Sequence, residues 1–191
     1  MACMLLTGPA AEPLTLAAMK EFVRLAHDDD DATITDLIVA ARTYIERATR
    51  RALITQTWRI VFDHWPSHGR LTVPIAPLRE VVAARVYDGA GVSHAMDTQA
   101  FVPDLAATPP VIGFVPWAMA VPGRATAGIE IDVELGYGLA AQDVPEPIRQ
   151  AVRMLVAHWY ENRAVVADNG RGVLLPVGIS ALIAPYKVIT L

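Results

Sequence analysis

The segment from Pro145 to Arg163 is the strongest structural signal in the sequence. Its large apolar residues recur at the i, i+4, i+7 and i+11 positions of one helical face: Ile148, Val152, Leu155 and Trp159. Pro145 and Pro147 suit a helix start, because the amides of the first turn have no intrahelical acceptor to lose. The spacing therefore predicts an amphipathic core helix against which the rest of the chain packs.

Composition limits the classes of protein to which the chain can belong. With 191 residues, 53% of them hydrophobic, it can bury a sizeable core and keep apolar surface for partners. The net charge of −4 leaves no global basic field to attract nucleic acid. A single cysteine, Cys3, excludes an internal disulfide and any multi-cysteine zinc site. The longest stretch of low charge, Val111 to Gly123, is shorter than the ~20 residues of a spanning helix, and the N-terminus lacks signal-peptide character, so we expect a soluble protein without a membrane partner.

Three further helical segments are predicted. The first covers residues 15–26, with Thr15 as its N-cap. The second covers residues 33–51, where Thr33 and Asp36 have the spacing of a capping box. The third is a short helix over residues 177–184, which the following proline stops.

Two connecting stretches are predicted to be non-helical. Residues 1–14 are rich in proline and alanine, and Pro9 and Pro13 block a helix there. Asp28 to Asp31 form an acidic run that suits a solvated linker before the next helix N-terminus. A calcium loop is excluded, because the alternating acidic spacing and the distal glutamate are missing.

From Leu53 to Tyr137 the apolar period changes from 3.6 to 2. Trp58, Ile60 and Phe62 alternate with more polar neighbours, and Glu80 to Tyr87 reads as another strand. Residues 129–135 alternate strictly, with apolar positions on one face and an acidic row on the other, predicted wet, face: Glu130, Asp132 and Glu134. Frequent prolines favour short antiparallel strands over βαβ units.

These patterns predict an α+β fold. A small bundle of three to four helices carries an antiparallel β-rich region inserted between the second and third main helices. We expect one domain over residues 1–191, in which residues 1–53 and 143–191 form the helical part with terminal tails and residues 54–142 form the β-rich insertion.

The sequence contains no convincing catalytic, cofactor or metal site. Gly136 to Ala141 matches G-x-G-x-x-[GA] after a strand, but the next helix starts too late to meet a pyrophosphate, so a glycine turn is the better interpretation. The acidic row has a carboxylate spacing of ~7 Å, near that of inverting glycosidases, yet a wet strand face would not raise a pKa. His64 and His68 are separated by a proline and lack a third ligand. We therefore predict that the chain is not an enzyme.

Arg149 and Arg153 share a helical stripe with Tyr160, which is a possible surface for phosphate contact and base stacking. Two arginines on a core helix are more commonly its solvated face. Binding to DNA remains an alternative on these residues alone.

Several segments resemble the head–tail connector (adaptor) proteins of long-tailed phages, prophages and gene transfer agents. They are EPLTLAAMK…VRL, ARTYIERATRRALITQTW, VELGYG…VPEPIRQAVRMLVAHWYENR and LPVGISALIAPYKV, and they span residues 12–188 in order. The resemblance implies a subunit of a ring, commonly of twelve copies, between the portal and a stopper or tail-completion protein. Such a ring leaves a channel through which DNA passes without sequence-specific binding. The location implied is the capsid–tail junction of a virion or phage-like particle, after assembly in the bacterial cytoplasm.

The resemblance also suggests roles for particular residues. Family members typically reach the portal with their C-terminal segment, which corresponds here to Ala184, Pro185, Tyr186, Lys187, Val188, Ile189 and Leu191. The acidic row, if it lined the channel, would repel phosphate and let DNA slide. An apolar loop with exposed-looking Trp117 and Met119 is a candidate contact between subunits, as are Arg149 and Arg153. The alternative function is a DNA-packaging or DNA-binding accessory protein of a prophage.

Overall fold

The computed structural model describes residues 1–162 and 177–189. The chain divides into two compact units. The β unit comprises Met1–Ala10, Thr55–Tyr137 and Val188–Leu191, and the helical unit comprises Ala11–Ile54 and Gly138–Lys187. The predicted α+β class is confirmed, with helices and antiparallel sheets both present.

The β unit contains two antiparallel sheets. The larger has the strand order β1-β2-β8-β4-β5, and the smaller has the order β3-β7-β6. The strands are β1 Ala2–Thr7, β2 Gln56–Phe62, β3 Arg70–Thr72, β4 Leu78–Tyr87, β5 Ser93–Met96, β6 Val102–Asp104, β7 Val111–Gly113 and β8 Ile129–Leu135.

Strand β8 is the centre of the larger sheet and pairs with β2 and β4. Its alternating apolar residues are completely buried: Ile129, Ile131, Val133 and Leu135. Burial of each of these side chains is worth roughly 1.5–3 kcal/mol before ordering entropy is subtracted. The predicted strand and its buried face are confirmed.

The N-terminal segment is part of this sheet. Sequence analysis predicted an extended stretch over residues 1–14 and grouped it with the helical part, whereas Ala2–Thr7 forms the edge strand β1, paired with β2. Proline and alanine are frequent after Thr7, so residues 1–14 taken together did not have the composition of a strand. The six-residue strand β1 also depends on pairing with β2, which lies about fifty residues further along the sequence.

In the part of the helical unit that the structure describes, the helices are α1 Leu16–Val23, α2 Asp31–Thr49, α3 Glu146–Glu161 and α4 Val177–Ile183, followed by a 3₁₀ turn over Ala184–Tyr186. Thr15 caps α1 as predicted, because its hydroxyl accepts the Ala18 amide at 3.1 Å. Helix α1 ends at Val23, three residues earlier than predicted, where Arg24 adopts a left-handed conformation with φ 57°.

Helix α2 begins two residues before the predicted start. Its N-cap is Asp30, so the predicted capping box of Thr33 and Asp36 is wrong. Asp31 lies in the first turn instead, and Lys20 forms ion pairs with Asp28 and with Asp31, the latter at 2.7 Å. Carboxylates near the positive end of the helix dipole explain why the helix starts there.

Helix α3 buries the predicted stripe against α2. Ile148, Val152 and Leu155 are fully buried, and the facing residues of α2 are equally enclosed: Ile34, Ile38, Ala41 and Ile45. Trp159, the last member of the stripe, is half-buried and meets Tyr44 edge-on with ring centroids 6.1 Å apart.

Candidate assembly surfaces

The acidic row on β8 is bound by arginines from its two neighbouring strands. Arg59 on β2 donates from Nε and Nη2 to the two carboxylate oxygens of Asp132, at 2.7 and 3.0 Å. Arg85 on β4 adds a third hydrogen bond to Asp132 at 2.7 Å. Two guanidinium groups therefore enclose one carboxylate, whose side chain is only 7% exposed.

The other two carboxylates of the row are also paired. Glu130 forms an ion pair with Arg59 at 3.1 Å, and Glu134 accepts a hydrogen bond from Arg79 at 3.1 Å. Arg79 also reaches the Tyr137 carbonyl at 3.3 Å. Three arginines thus balance three carboxylates on one face of the sheet.

This pairing corrects the prediction of a wet acidic face. Burial on its own would raise the pKa of Asp132, but the hydrogen bonds from Arg59 and Arg85 outweigh it and hold that pKa below its ordinary value. Asp132 is therefore charged and neutralised locally at neutral pH. Glu130, Asp132 and Glu134 form a structural ion-pair network instead of three free negative charges.

The predicted arginine pair on α3 is held by one carboxylate of the same helix. Arg153 donates to Glu146 at 2.5 Å and to Gln150 at 3.3 Å, and Arg149 also bonds Glu146. The pKa of Glu146 is lowered, and the main cause is the hydrogen bond from Arg153. Tyr160, proposed from sequence as a stacking residue, donates its hydroxyl to Asp30 at 2.7 Å. The polar groups of this stripe are thus largely engaged in contacts within the protein itself.

The apolar loop after β7 presents one of its two predicted contact residues and buries the other. A 3₁₀ turn over Pro116–Ala118 leaves the Trp117 side chain 89% exposed. Met119 is only 8% exposed, so the prediction that it lies on the surface is wrong. The loop is fastened beside it, because Trp65 donates its indole N–H to the Ala120 carbonyl at 2.8 Å.

The C-terminal segment is anchored up to Val188. Arg51 donates to the Tyr186 carbonyl at 2.6 Å, and Val188 is buried. Ala184, Pro185 and Lys187 are exposed, Tyr186 is half-buried, and Ile189 is 75% exposed. Leu191 lies outside the described residues. An apolar side chain therefore stands in solvent immediately after the last anchored position.

The glycine motif that was considered as a cofactor site is filled by a side chain of its own loop. Gly138 lies against Asp143, whose carboxylate accepts the Ala140 amide at 2.9 Å, so this loop is closed by its own side chain. Within residues 1–162 and 177–189, no group of three or more His, Cys, Asp or Glu could hold a metal ion. No helix in the same ranges is both long and apolar enough to cross a membrane.

Sequence reasoning missed two apolar surfaces. Strand β1 is an edge strand with Met4, Leu5 and Leu6 exposed, which the lack of charge before Glu12 could have signalled. In the helical unit, Phe22 on α1 is 43% exposed beside a groove of about 360 Å³ between α1 and α3. That groove depends on a helix–helix contact, which periodicity along one helix does not reveal.

Comparisons with known proteins agree with the resemblance seen in the sequence. Residues 13–81 match the family model of the phage gp6-like head-tail connector protein. Three solved structures each align with 100% of this chain and 97% of theirs. They come from the neck of an empty gene transfer agent particle with C6 symmetry (TM-score 0.85, 26% identity), the virion of a native gene transfer agent particle (0.83, 26%) and the neck of a native particle with C12 symmetry (0.76, 28%).

A comparison with curated protein sequences found no match. The family model covers α1, α2, β2, β3 and the start of β4, and the structural likeness extends over both units. Sequence motif and fold thus lead to the same result: the chain is similar to phage gp6-like head-tail connector proteins over residues 13–81 and to chains of gene transfer agent particles over its whole length.

Proposed function

We propose that the chain is a structural subunit of the neck of a phage-like particle, where it connects the head to the tail. The observation that carries this function is the likeness over the whole chain, at 26–28% identity, to chains from gene transfer agent necks and virions. The role is mechanical and needs no catalytic, cofactor or metal site. DNA passes through the connector and is not recognised by its sequence.

The subunits form a ring, and we propose twelve copies. The structures of the similar necks were computed with C6 and C12 symmetry, which fits a ring in a particle. A closed ring of identical subunits needs two different complementary surfaces on each copy. The exposed Trp117 is an apolar surface of the kind that such contacts cover, and the groove beside Phe22 is a second candidate, with apolar and polar lining residues.

The axial partners proposed are a portal protein on one side and a stopper or tail-completion protein on the other. The segment from Ala184 to Leu191 is the proposed portal contact, since Ile189 is exposed directly after the buried Val188. The acidic row is a weaker candidate for a channel lining than its sequence suggested. With Arg59, Arg79 and Arg85 bound to it, the row would offer DNA little net repulsion.

The test is particle assembly in a host whose own copy of the gene is deleted. We expect heads without tails, with wild-type chain restoring tailed particles and carried in their necks. Truncation after Val188 should leave the purified chain folded but abolish its association with heads. Val92→Asp, which alters an exposed apolar residue in the turn before β5, is the matched control and should assemble normally. Tailed particles that form without the chain would overturn the function, and normal assembly of the truncated chain would overturn the tail assignment alone.

A further inference from the structure

We propose that neighbouring copies in the ring are joined by Trp117 of one subunit, seated in the groove between α1 and α3 of the next. The proposal rests on the ring inferred above and adds to it the identity of the two complementary surfaces. One surface is the knob, which we define as residues 115–121. The other is the groove, which is lined by Ala18, Glu21, Phe22, Gln150 and Arg153.

The knob is a preformed projection. Its base is fixed by the burial of Met119 and by the hydrogen bond from Trp65 to the Ala120 carbonyl, and Trp65 itself packs on Phe114 with ring centroids 5.1 Å apart. Its tip carries Trp117 and Val121, which are 89% and 87% exposed. A tryptophan on a fixed loop base has only two side-chain torsions to order on docking, and tryptophan is enriched at the centres of protein interfaces.

The groove is also held in shape before any partner arrives. Arg153 is fixed by Glu146 at 2.5 Å and by Gln150 at 3.3 Å, and its side chain is mostly covered. Phe22 forms the apolar wall and remains partly exposed. The volume of about 360 Å³ lies at the lower end of the roughly 300–1,000 Å³ typical of small-molecule pockets, which suits one large side chain.

The chemistry of the groove matches an indole ring. Phe22 and Ala18 offer apolar contact to the six-membered ring, and the Arg153 guanidinium offers a cation for its face. A buried indole N–H needs an acceptor, and Glu21 or Gln150 can provide it. The groove therefore supplies the three interactions that a docked tryptophan requires.

The occupant is a second copy because the two surfaces differ and each chain carries both. The knob lies in the β unit and the groove in the helical unit. Such head-to-tail pairing lets every copy donate one knob and accept one, which is the arrangement that closes into a ring. It also covers the most exposed aromatic side chain among the described residues.

The first experiment mixes two variants that each retain one of the surfaces. Trp117→Ala keeps the groove and Phe22→Asp keeps the knob, so each alone should fail to form rings. A 1:1 mixture should give a heterodimer that cannot extend, measured by mass photometry beside wild type and the control Val92→Asp. Rings of either variant alone, or a mixture that stays monomeric under conditions where wild type forms rings, would overturn the pairing.

The second experiment tests the contact by disulfide crosslinking in assembled particles, which also covers the case in which the wild-type chain forms rings only there. In a Cys3→Ser background, Ala118→Cys combined with Ala18→Cys should give a ladder of covalent oligomers on mild oxidation, because this pair flanks the contact and leaves the knob and groove side chains in place. The single-cysteine chains and the pair Val92→Cys with Ala18→Cys should give none. A double-cysteine chain that is present in necks but yields no ladder overturns the pairing, whereas a wild-type chain that is absent from particles overturns the proposed function.

Discussion

Arg59 and Asp132 face each other in register across strands β2 and β8, joined by two hydrogen bonds of 2.7 and 3.0 Å. Arg85 approaches the same carboxylate from β4 at 2.7 Å. The central strand is thereby tied to both neighbours by charge as well as by the backbone ladder. A row that alternation alone presented as a solvated surface is a structural network across three strands.

Removing the Asp132 carboxylate should destabilise the protein strongly. Asp132→Ala would remove the carboxylate that both Arg59 and Arg85 hydrogen-bond and would leave them only Glu130, at 3.1 and 3.9 Å. Breaking a buried ion pair costs roughly 3–5 kcal/mol. We expect about 3 kcal/mol in the free energy of unfolding, measured by urea denaturation, because Arg85 is partly exposed. Glu134→Ala is the matched control and should cost less than about 1 kcal/mol, since its partner Arg79 is 41% exposed and solvent screens the pair. Equal losses in both variants would contradict the network.

The same carboxylate should make stability depend on pH in the acid range. The folded-state pKa of Asp132 is depressed by Arg59 and Arg85, so its contribution is present above the unfolded pKa of about 3.9 and is lost as pH falls through the folded pKa. The difference in unfolding free energy between wild type and Asp132→Asn should therefore be largest above about pH 4 and shrink below it. A difference that stays constant from neutral to strongly acid pH would exclude this linkage.

Two substitutions in the loop that carries Trp117 should differ in their effect on the free energy of unfolding, because one residue is on the surface and the other is in the core. Trp117→Ala should change the free energy of unfolding by no more than about 0.5 kcal/mol, because its side chain lies in solvent. Met119→Ala should cost about 2–5 kcal/mol, because it leaves a cavity beneath the loop. Denaturation of the two variants side by side measures the contrast. The assignment of Met119 to the core fails if its substitution is as mild as that of Trp117.

Sequence patterns were sufficient where a residue's environment is set within its own element. Alternation along 129–135 predicted β8 and its buried face, and the 3.6-residue period predicted α3. The Thr15 cap was predictable for the same reason, since the donor and the acceptor lie three residues apart.

The site could be predicted only in part, because its contacts join distant positions. Asp132 meets Arg59 and Arg85 only through the register of β8 with two strands, across 73 and 47 residues of sequence. Met119 is buried next to the point where Trp65 hydrogen-bonds the loop. The loop sequence has no periodicity that would distinguish Met119 from Trp117. Edge strand β1 depends likewise on its partner β2. Such features need the tertiary structure.

The arginines of α3 should not give the protein useful affinity for DNA. Arg149 and Arg153 share Glu146, and the whole chain carries a net charge of −4, so little counterion release is available. We expect no binding of a fluorescent duplex by anisotropy at physiological salt. The double variant Arg149→Ala with Arg153→Ala should behave like wild type in that assay. Salt-sensitive binding that falls in the double variant would instead revive the DNA-binding alternative.

Within the C-terminal segment, the Tyr186 carbonyl accepts a hydrogen bond from Arg51 at 2.6 Å. A hydrogen bond from a charged donor contributes about 1.5 kcal/mol, and its loss should increase local opening by roughly tenfold. Arg51→Met should therefore accelerate hydrogen exchange at Lys187 to Ile189, measured by mass spectrometry. Arg47→Met, on the exposed side of helix α2, is the control and should leave exchange there unchanged. If this hydrogen bond positions the segment for the portal, Arg51→Met should also assemble tailed particles less efficiently than Arg47→Met. Unaltered hydrogen exchange in Arg51→Met would show instead that Val188 alone holds the segment in place.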